Sequence, residues 1–229
     1  EMQLQHVQKM EAIGTIAAGI AHNFRNTLTE ILVNSQLIQM NYEDESGLHE
    51  VADRINTSVR RGSSLVDGLL QFSRKQIKKE FELIDLVKVI DELYQLLKKS
   101  FDQKIEIQSD LPGRMAIMGD ATSFSQALMN LCTNARDAMP DGGKLIIQGR
   151  QEGGRILVTI SDTGQGMDRE AAQKCFDPFF TTKPIGKGTG LGLSTTYGII
   201  KSHEGLISVD SQPTRGTTLK IHLPAAKTE

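Results

Sequence analysis

The sequence has few of the features that would place a protein in a specialised class. It contains only two cysteines, Cys132 and Cys175, and their spacing is not that of a metal site. We therefore expect two free thiols that pack as small side chains in a reduced, cytoplasmic setting. The longest apolar run is far too short to cross a bilayer and there is no signal peptide, so membrane attachment would need a missing upstream segment.

The sequence also has no excess of charge of one sign. Lys and Arg number 26 and Asp and Glu number 28, which gives a formal net charge of -2 at pH 7. A protein that grips a phosphate backbone usually carries a basic field, so we expect no nucleic acid partner. The 38% of hydrophobic and 24% of charged residues are those of an ordinary globular protein and do not indicate disorder.

The first third of the chain has the period of amphipathic helices. Apolar residues recur at three- and four-residue steps from Leu4 to Met40, and a second stripe runs from Leu48 to Phe72 after the polar break NYEDESG. No proline interrupts either stripe, so residues 1–76 are predicted to form a helical hairpin. A single hairpin cannot cover its own stripe, and we therefore expect a homodimer in which two hairpins pack as a four-helix bundle.

The period changes near residue 78. Strand-like alternation appears in KEFELIDL, KIEIQSDL, KLIIQGRQ, RILVTISD and TTLKIHLP, and helical patterns cover residues 85–100, 121–139 and 189–203. This order predicts an α+β domain in which helices cover one face of a sheet, a two-layer sandwich. The expected domains are therefore residues 1–77 and 78–229.

Two polar stretches of the second part are candidates for ligand binding. NLCTNARDAM puts Asn130 and Asn134 one helical turn apart, where their amides could bind a hard cation such as Mg²⁺ or simply face solvent. SDTGQGMD follows the strand RILVTI, and Asp162 there could accept a hydrogen bond from an exocyclic amine. Gly164 and Gly166 could let the backbone approach a flat ring, although an ordinary D-x-G turn has the same pattern.

A third stretch, CFDPFFTTKPIGKGTGLGLSTTYGII, has glycines before a predicted helix. Backbone N–H groups and the positive end of that helix can hold phosphate oxygens. The stretch is neither a dinucleotide loop, which would directly follow a strand, nor a Walker loop. It therefore indicates a phosphate site of another kind.

In this order, NLCTNARDA, DTGQGM, CFDPFFTTK and GTGLGLS resemble the N, G1, F and G2 boxes of sensor histidine kinases. RGTTLKIHLP is similar to that family's closing strands and AHNFRN to its H box, so the resemblance covers essentially the whole chain. It implies a dimerisation and phosphotransfer domain followed by a catalytic domain with the gyrase-type ATP-binding fold. The implied ligands are ATP and Mg²⁺.

The resemblance also implies roles for single residues. Asn134 is the principal Mg²⁺ ligand with Asn130 in support, and Asp162 binds the adenine amino group. Position 137 is often basic in the family; because the carboxylate of Asp137 cannot neutralise phosphate, that role passes to Lys183, Lys187 or Arg136. The other implied nucleotide contacts are Gly164, Gly166 and Met167 in the base pocket, Thr217 near the adenine, and Gly188, Thr189, Gly190, Leu191 and Gly192 around the phosphates. Residues 168–187 are expected to form a mobile lid anchored by Phe176, Phe179 and Phe180.

By the same resemblance His22 is the phosphoacceptor, since a neutral imidazole nitrogen can attack the γ-phosphorus of ATP. The family usually has an acid directly after this histidine, whereas Asn23 can orient the imidazole but cannot act as a base. Asn26 stands where a polar residue helps to position the water that removes the phosphate. The other histidines lie outside the boxes and are expected to be surface or packing residues: His6, His49, His203 and His222.

Three functions are compatible with these residues. The first is a histidine protein kinase of a two-component system, which phosphorylates His22 from ATP, passes the phosphate to an aspartate of a response-regulator receiver domain, and also dephosphorylates that partner. The alternative is a degenerate kinase that acts as an ATP-binding scaffold or mainly as a phosphatase, which Asn23 and Asp137 favour. A gyrase-type ATP-hydrolysing clamp is disfavoured, because such proteins carry a water-activating glutamate where Asn130 stands.

Overall fold

The computed structural model describes Phe24, residues 28–38, Leu48, residues 50–57, Val59, Gly62 and residues 81–111, 113–183 and 188–226. The chain divides into two compact units. The first comprises Glu1–Ile77 and Lys183–Leu191, and the second Lys78–Thr182 and Gly192–Glu229. Over the residues just named, no helix has both the length and the apolar character that a bilayer span requires.

Within residues 1–77 of the first unit, the described residues are helical. Residues 28–38 and 50–57 are α-helix, in agreement with the predicted amphipathic pattern. The two segments are joined by a hydrogen bond in which the buried Ser35 Oγ donates to the Ala52 carbonyl at 3.0 Å. Small side chains at this contact allow two helices to approach closely. Several large apolar side chains of the unit stay exposed: Phe24, Ile31, Val33, Leu37, Ile38 and Val51.

The second unit alternates strands and helices. Its elements are β1 (Glu82–Asp85), α1 (Leu86–Ser100), β2 (Ile105–Asp110), β3 (Ala116–Gly119), α2 (Ala121–Asp137), β4 (Gly143–Glu152), β5 (Arg155–Asp162), α3 (Arg169–Lys174), α4 (Gly192–Ser202), β6 (Leu206–Ser211) and β7 (Thr217–Pro224). An aspartate caps the N-terminus of three helices: Asp85 bonds the Val87 N–H, Asp120 the Thr122 N–H and Asp168 the Ala171 N–H.

The sheet of this unit has five strands in the order β2-β4-β5-β7-β6, and β1 and β3 form a separate antiparallel pair. β2 and β4 run parallel, while the other neighbours are antiparallel. Residues alternate in burial along the central strands, so the sheet has one covered and one open face. The covered face contributes Leu145, Ile147, Ile156, Val158, Ile160, Leu219, Ile221 and Leu223 to the core that α1, α2 and α4 complete. The predicted two-layer α+β architecture is confirmed.

His203, just after α4, is buried, as its expected packing role requires. Its Nε2 accepts a hydrogen bond from the Asp120 N–H at 3.1 Å, and its Nδ1 lies 2.7 Å from the Ile199 carbonyl oxygen. Because a carbonyl only accepts, Nδ1 carries the hydrogen and the imidazole is neutral. The ring also stacks on Phe81 with centroids 4.7 Å apart, so His203 joins the end of α4 to the start of α2.

Three short elements were not predicted: β3, α3 and β6. β3 and α3 have four and six residues, too few for a period to be visible, and β6 is an edge strand whose alternate residues are exposed. Two predicted boundaries were also displaced. The predicted strand in KEFELIDL gives way to α1 at Leu86, and the helix expected from residue 189 begins at Gly192.

Candidate nucleotide-binding site

Two amides of α2 lie beside the first residue of α4. α2 buries one face, including Phe124, Leu128, Leu131 and Ala135, and this leaves Asn130 and Asn134 half-buried on a neighbouring face. Asn130 Nδ2 donates to the Gly192 carbonyl at 3.4 Å. A Cβ placed on Gly192 would lie 3.8 Å from Asn134 Nδ2. The predicted amide pair is therefore at the N-terminal end of α4, where a helix favours negative charge.

Asp162 is the last residue of β5 and is partly buried. Its Oδ1 accepts a hydrogen bond from the Gly164 N–H at 2.8 Å, and the Thr217 N–H also bonds the carboxylate. Burial raises the pKa of Asp162 above its ordinary value, and the two backbone N–H bonds offset part of that rise. The carboxylate is thus positioned at the end of a strand as a hydrogen-bond acceptor.

The loop after Asp162 needs its glycines for contacts within the protein. A Cβ on Gly164 would lie 2.5 Å from the Ala138 carbonyl oxygen, and one on Gly166 would overlap the Gln212 carbonyl. Gly166 also has a φ of 64°, which favours glycine. Gln165 between them donates its N–H to the Ala138 carbonyl at 3.0 Å and accepts from the Thr214 N–H at 2.7 Å. These two glycines therefore allow segments of the protein's own backbone to approach one another, and their contact with the base of a nucleotide stays a prediction.

A serine that the sequence patterns did not single out ties this loop to β7. Ser211 Oγ accepts a hydrogen bond from the Met167 N–H at 2.8 Å, donates to the Gly216 carbonyl at 3.1 Å and lies 2.9 Å from Thr217 Oγ1. Met167 and Thr217 are both predicted adenine contacts, and one hydroxyl therefore connects them. The available signal in the sequence was a serine at the end of an alternating stretch, followed by a turn that contains Pro213 and Gly216.

Asp137 and Arg136 neutralise one another at the end of α2. Arg136 Nη2 and Nε lie 2.7 Å and 3.0 Å from Asp137 Oδ1, and the guanidinium also lies over the Phe101 ring at 5.3 Å. Arg136 is therefore a poor candidate for phosphate neutralisation, although the sequence allowed it. Asp137 forms an ion pair with its own neighbour, and its place among the nucleotide-site residues stays a prediction.

The glycine-rich segment is grouped with the first unit. Gly190 has a φ of 66°, and the Leu191 N–H bonds Thr189 Oγ1 at 3.3 Å, so a turn precedes the start of α4. Lys183 and Gly188 are among the residues that the structure describes, and both belong to this segment. Lys187 lies outside the described residues, as do His22, Asn23 and Asn26, and their predicted roles remain predictions.

The expected lid, residues 168–187, contains structure of its own. α3 buries Ala171, and Cys175 after it is buried as well. Phe176 packs on Tyr197 of α4 with ring centroids 5.7 Å apart, so it is an anchor as expected. Phe179 is 51% exposed with a φ of 66°, and the anchoring role predicted for it is wrong.

A metal site built from charged or thiol ligands does not occur in the described part of the chain, where no three His, Cys, Asp or Glu side chains cluster. The two α2 amides carry oxygens of the kind that a hard cation such as Mg²⁺ binds. Both cysteines are buried free thiols, and burial raises the pKa of each to about 12, so neither is a reactive nucleophile.

Comparisons with known proteins match both parts of the chain. The model of histidine kinase-, DNA gyrase B- and HSP90-like ATPases matches residues 119–227, and the model of the His Kinase A (phospho-acceptor) domain matches residues 12–77. Sensor kinase CckA of Brucella abortus (strain 2308) is 40% identical over 241 residues, which cover 98% of this chain and 25% of that protein. The chain thus spans a quarter of the length of this curated relative.

Solved structures give the same result. The catalytic domain of histidine kinase ThkA is 30% identical with a TM-score of 0.58, over 64% of this chain and 96% of that one. ThkA in complex with response regulator protein TrrA gives a TM-score of 0.69 at 24% identity, over 98% of this chain and 65% of that one. Full-length ShkA in complex with AMPPNP gives a TM-score of 0.76 at 23% identity, over 93% of this chain and 46% of that one. At these lower identities the likeness concerns the fold.

Proposed function

The chain belongs to the histidine kinase family, and on that premise we propose that it is the catalytic core of a two-component sensor kinase. Residues 1–77 serve as the dimerisation and phosphotransfer domain and residues 78–229 as the ATP-binding catalytic domain. His22 accepts the γ-phosphoryl group of ATP and passes it to an aspartate of a separate response-regulator receiver domain. ThkA, which has been solved with a response regulator, supports this class of partner.

One arrangement carries the proposal. The loop after Asp162 is bound to the end of α2 through the Ala138 carbonyl, and the amides of α2 lie at the start of α4. A carboxylate acceptor, two amides and a helix N-terminus are therefore held on connected elements of one unit. ATP needs these same groups: an acceptor for its amino group, a cation ligand, and N–H groups for its phosphates.

The residues at this place fit Mg²⁺. Amide oxygens are ligands for hard cations, and a cation that keeps several waters needs only one or two of them from the protein. Asn134 would hold the ion with Asn130 in support, and the bound ion would neutralise charge on the transferred phosphoryl group. Asn130 meanwhile keeps the start of α4 in place through the Gly192 carbonyl.

His22, Asn23 and Asn26 act as one unit in this proposal. The neutral imidazole of His22 is the nucleophile, and the Asn23 amide orients it without removing its proton. Asn26 holds the water that attacks the phosphorylated partner. Kinase activity is therefore weaker than in a relative with an acid after the histidine, while phosphatase activity is retained.

A second copy of the chain covers the apolar face of the first unit. Val51 is 53% exposed and lines a groove of about 370 Å³ with Leu28, Ile31, Arg54, Ile55 and Val59. Exposed apolar residues at helical spacing favour a four-helix bundle between two copies. Since both cysteines are buried free thiols, we place this dimer in the reducing cytoplasm.

The nucleotide site is tested by titrating Mg²⁺ and ATP into the full chain in a calorimeter. Asn134→Ala removes the cation ligand and should abolish the Mg²⁺-dependent part of ATP binding. Thr133→Ala is the matched control, because Thr133 Oγ1 bonds the Met129 and Asn130 carbonyls of the same helix. Unchanged Mg²⁺-ATP affinity in Asn134→Ala would remove Asn134 from the site.

The dimer is tested by light scattering on the full chain of 25.2 kDa. We expect the parent to have twice this mass and Val51→Asp to shift to the monomer as the protein is diluted. Leu96→Asp is the control, because it changes an equally exposed apolar residue of the second unit, and it should remain a dimer. A monomeric parent at every concentration would refute the bundle.

One observation favours the alternative of a scaffold or a phosphatase. Arg136 forms an ion pair with Asp137, which competes with any contact between its guanidinium and a phosphate. The family usually has an acid at position 23 and often a basic residue at position 137. Asn23 and Asp137 at these positions weaken phosphoryl transfer and leave nucleotide binding intact. Tight Mg²⁺-ATP binding without any labelling of His22 would select this alternative.

A further inference from the structure

Ser211, Thr217 and Asp162 form a row across three neighbouring strands. Ser211 of β6 is directly opposite Thr217 of β7, and Thr217 is directly opposite Asp162 of β5. Residues directly opposite in antiparallel strands project on the same face of the sheet. The three polar side chains therefore lie side by side on the face that also carries the helices.

The hydrogens in this row have one consistent arrangement. The Ser211 hydroxyl has a single hydrogen, and the Gly216 carbonyl, which can only accept, receives it at 3.1 Å. The Met167 N–H already donates to the same oxygen. The 2.9 Å contact between Ser211 Oγ and Thr217 Oγ1 is then a hydrogen bond only if Thr217 is the donor. The Thr217 hydroxyl can then only accept a hydrogen bond from any other group, because its one hydrogen is already donated to Ser211.

The consequence concerns what the row can offer to a ligand. Asp162 presents a carboxylate, and Thr217, with its hydrogen committed to Ser211, also presents only an acceptor. Two neighbouring acceptors suit an exocyclic amine, as in adenine, and oppose a carbonyl at the same position, as in guanine. If Ser211 were absent, the Thr217 hydroxyl could turn and donate to such a carbonyl.

We propose that Ser211 is a positioning residue that makes the site selective for adenine over guanine nucleotides, by holding Thr217 as an acceptor and by fixing the Met167 backbone. The inference rests on the proposed function, since it requires the base to bind beside Asp162. It goes beyond that function, because the selectivity is set by a residue that need not touch the nucleotide.

The test compares the affinities of the full chain for Mg²⁺-ATP and Mg²⁺-GTP by calorimetry. Ser211→Ala should raise the Kd for ATP about 5- to 30-fold, the value of one or two hydrogen bonds, and should narrow the preference for ATP over GTP at least about fivefold. Ser211→Thr retains the hydroxyl and should restore the preference. Ser211→Cys, which keeps the size but bonds weakly, replaces the alanine variant if that variant fails to fold.

Ser161→Ala is the matched control. It removes one hydroxyl of a similar pair, in which Ser161 Oγ lies 3.0 Å from Thr218 Oγ1. This pair belongs to the next row of the same sheet and lies on the opposite face. Its nucleotide preference should equal that of the parent. A parent that binds no ATP would overturn the proposed function and this inference with it. A parent that prefers ATP, together with a Ser211→Ala variant of lower thermal stability but unchanged preference, would overturn the inference alone.

Discussion

Gly166 offers a sharp test of how the candidate site is built. Its φ of 64° and the adjacent Gln212 carbonyl leave no room for a side chain. An alanine there would strain the backbone and push away the turn at residues 212–216. That movement would break the bond between the Thr214 N–H and the Gln165 carbonyl, and it would weaken the bond between Met167 and Ser211.

The expected loss of stability follows from these terms. A non-glycine residue in the left-handed region costs about 1–2 kcal/mol, and each of the two affected hydrogen bonds contributes up to about 0.5–1.5 kcal/mol. Gly166→Ala should therefore lower the free energy of unfolding by about 2–5 kcal/mol. Gly153→Ala provides the control, because Gly153 has a φ of 55° and nothing within 4 Å of its Cβ position. The control should lose only the backbone strain of about 1–2 kcal/mol.

Urea unfolding of the full chain without nucleotide, followed by far-UV circular dichroism, measures the two variants. The difference between them should be about 1–3 kcal/mol in favour of Gly153→Ala. Equal stability of the two variants, with ATP binding lost only in Gly166→Ala, would refute this account. The glycine would then be required by the ligand and not by the protein backbone.

Three further predictions concern Asp162, His203 and Asn23. Because burial raises the pKa of Asp162, the folded protein holds a proton there that the unfolded chain releases, so its carboxylate destabilises the fold as pH rises. Urea unfolding from about pH 4 to about pH 7 should show the parent losing stability relative to Asp162→Asn, with the loss complete above the raised pKa; a relative gain would contradict the assigned direction. His203→Ala should lower the free energy of unfolding by about 3–5 kcal/mol, because it empties a buried site and leaves the Asp120 N–H unpaired. His222→Ala, on the open face of the sheet, should lower it by less than about 1 kcal/mol. Similar losses in the two variants would contradict the role of His203. Asn23→Asp should speed labelling of His22 by up to about 10²- to 10⁴-fold in single-turnover assays with saturating ATP, and no acceleration would mean that the missing acid is no handicap.

The long periodic elements were predictable from the sequence, and the reason is burial. α2 and β5 each place one face in the core, so apolar residues recur about every 3.6 residues along the helix and about every two along the strand. β6 shows how this signal weakens at the edge of a sheet, where Leu206 remains 47% exposed. The short β3 has no room for a repeat.

The residues of the candidate site could be named from the sequence, whereas the contacts that hold them in place could not. The positions of Asn134 and Asp162 could be inferred because motif spacing is local. The reasons for Gly164 and Gly166 could not, because the carbonyl groups that exclude a Cβ come from Ala138 and Gln212, distant in sequence. Ser211 was missed for the same reason, since a single serine does not indicate which three groups its hydroxyl will meet.

The central claim, that His22 accepts phosphate from ATP, is tested most directly by labelling the full chain with γ-labelled ATP and Mg²⁺. The parent should acquire a label that is labile in acid and stable in alkali, as phosphohistidine is. His22→Ala should acquire none, while its affinity for Mg²⁺-ATP stays that of the parent, because Asn134 and Asp162 of the candidate site belong to the second unit. A label that persists in His22→Ala, or a parent that binds Mg²⁺-ATP and never becomes labelled, would contradict the claim.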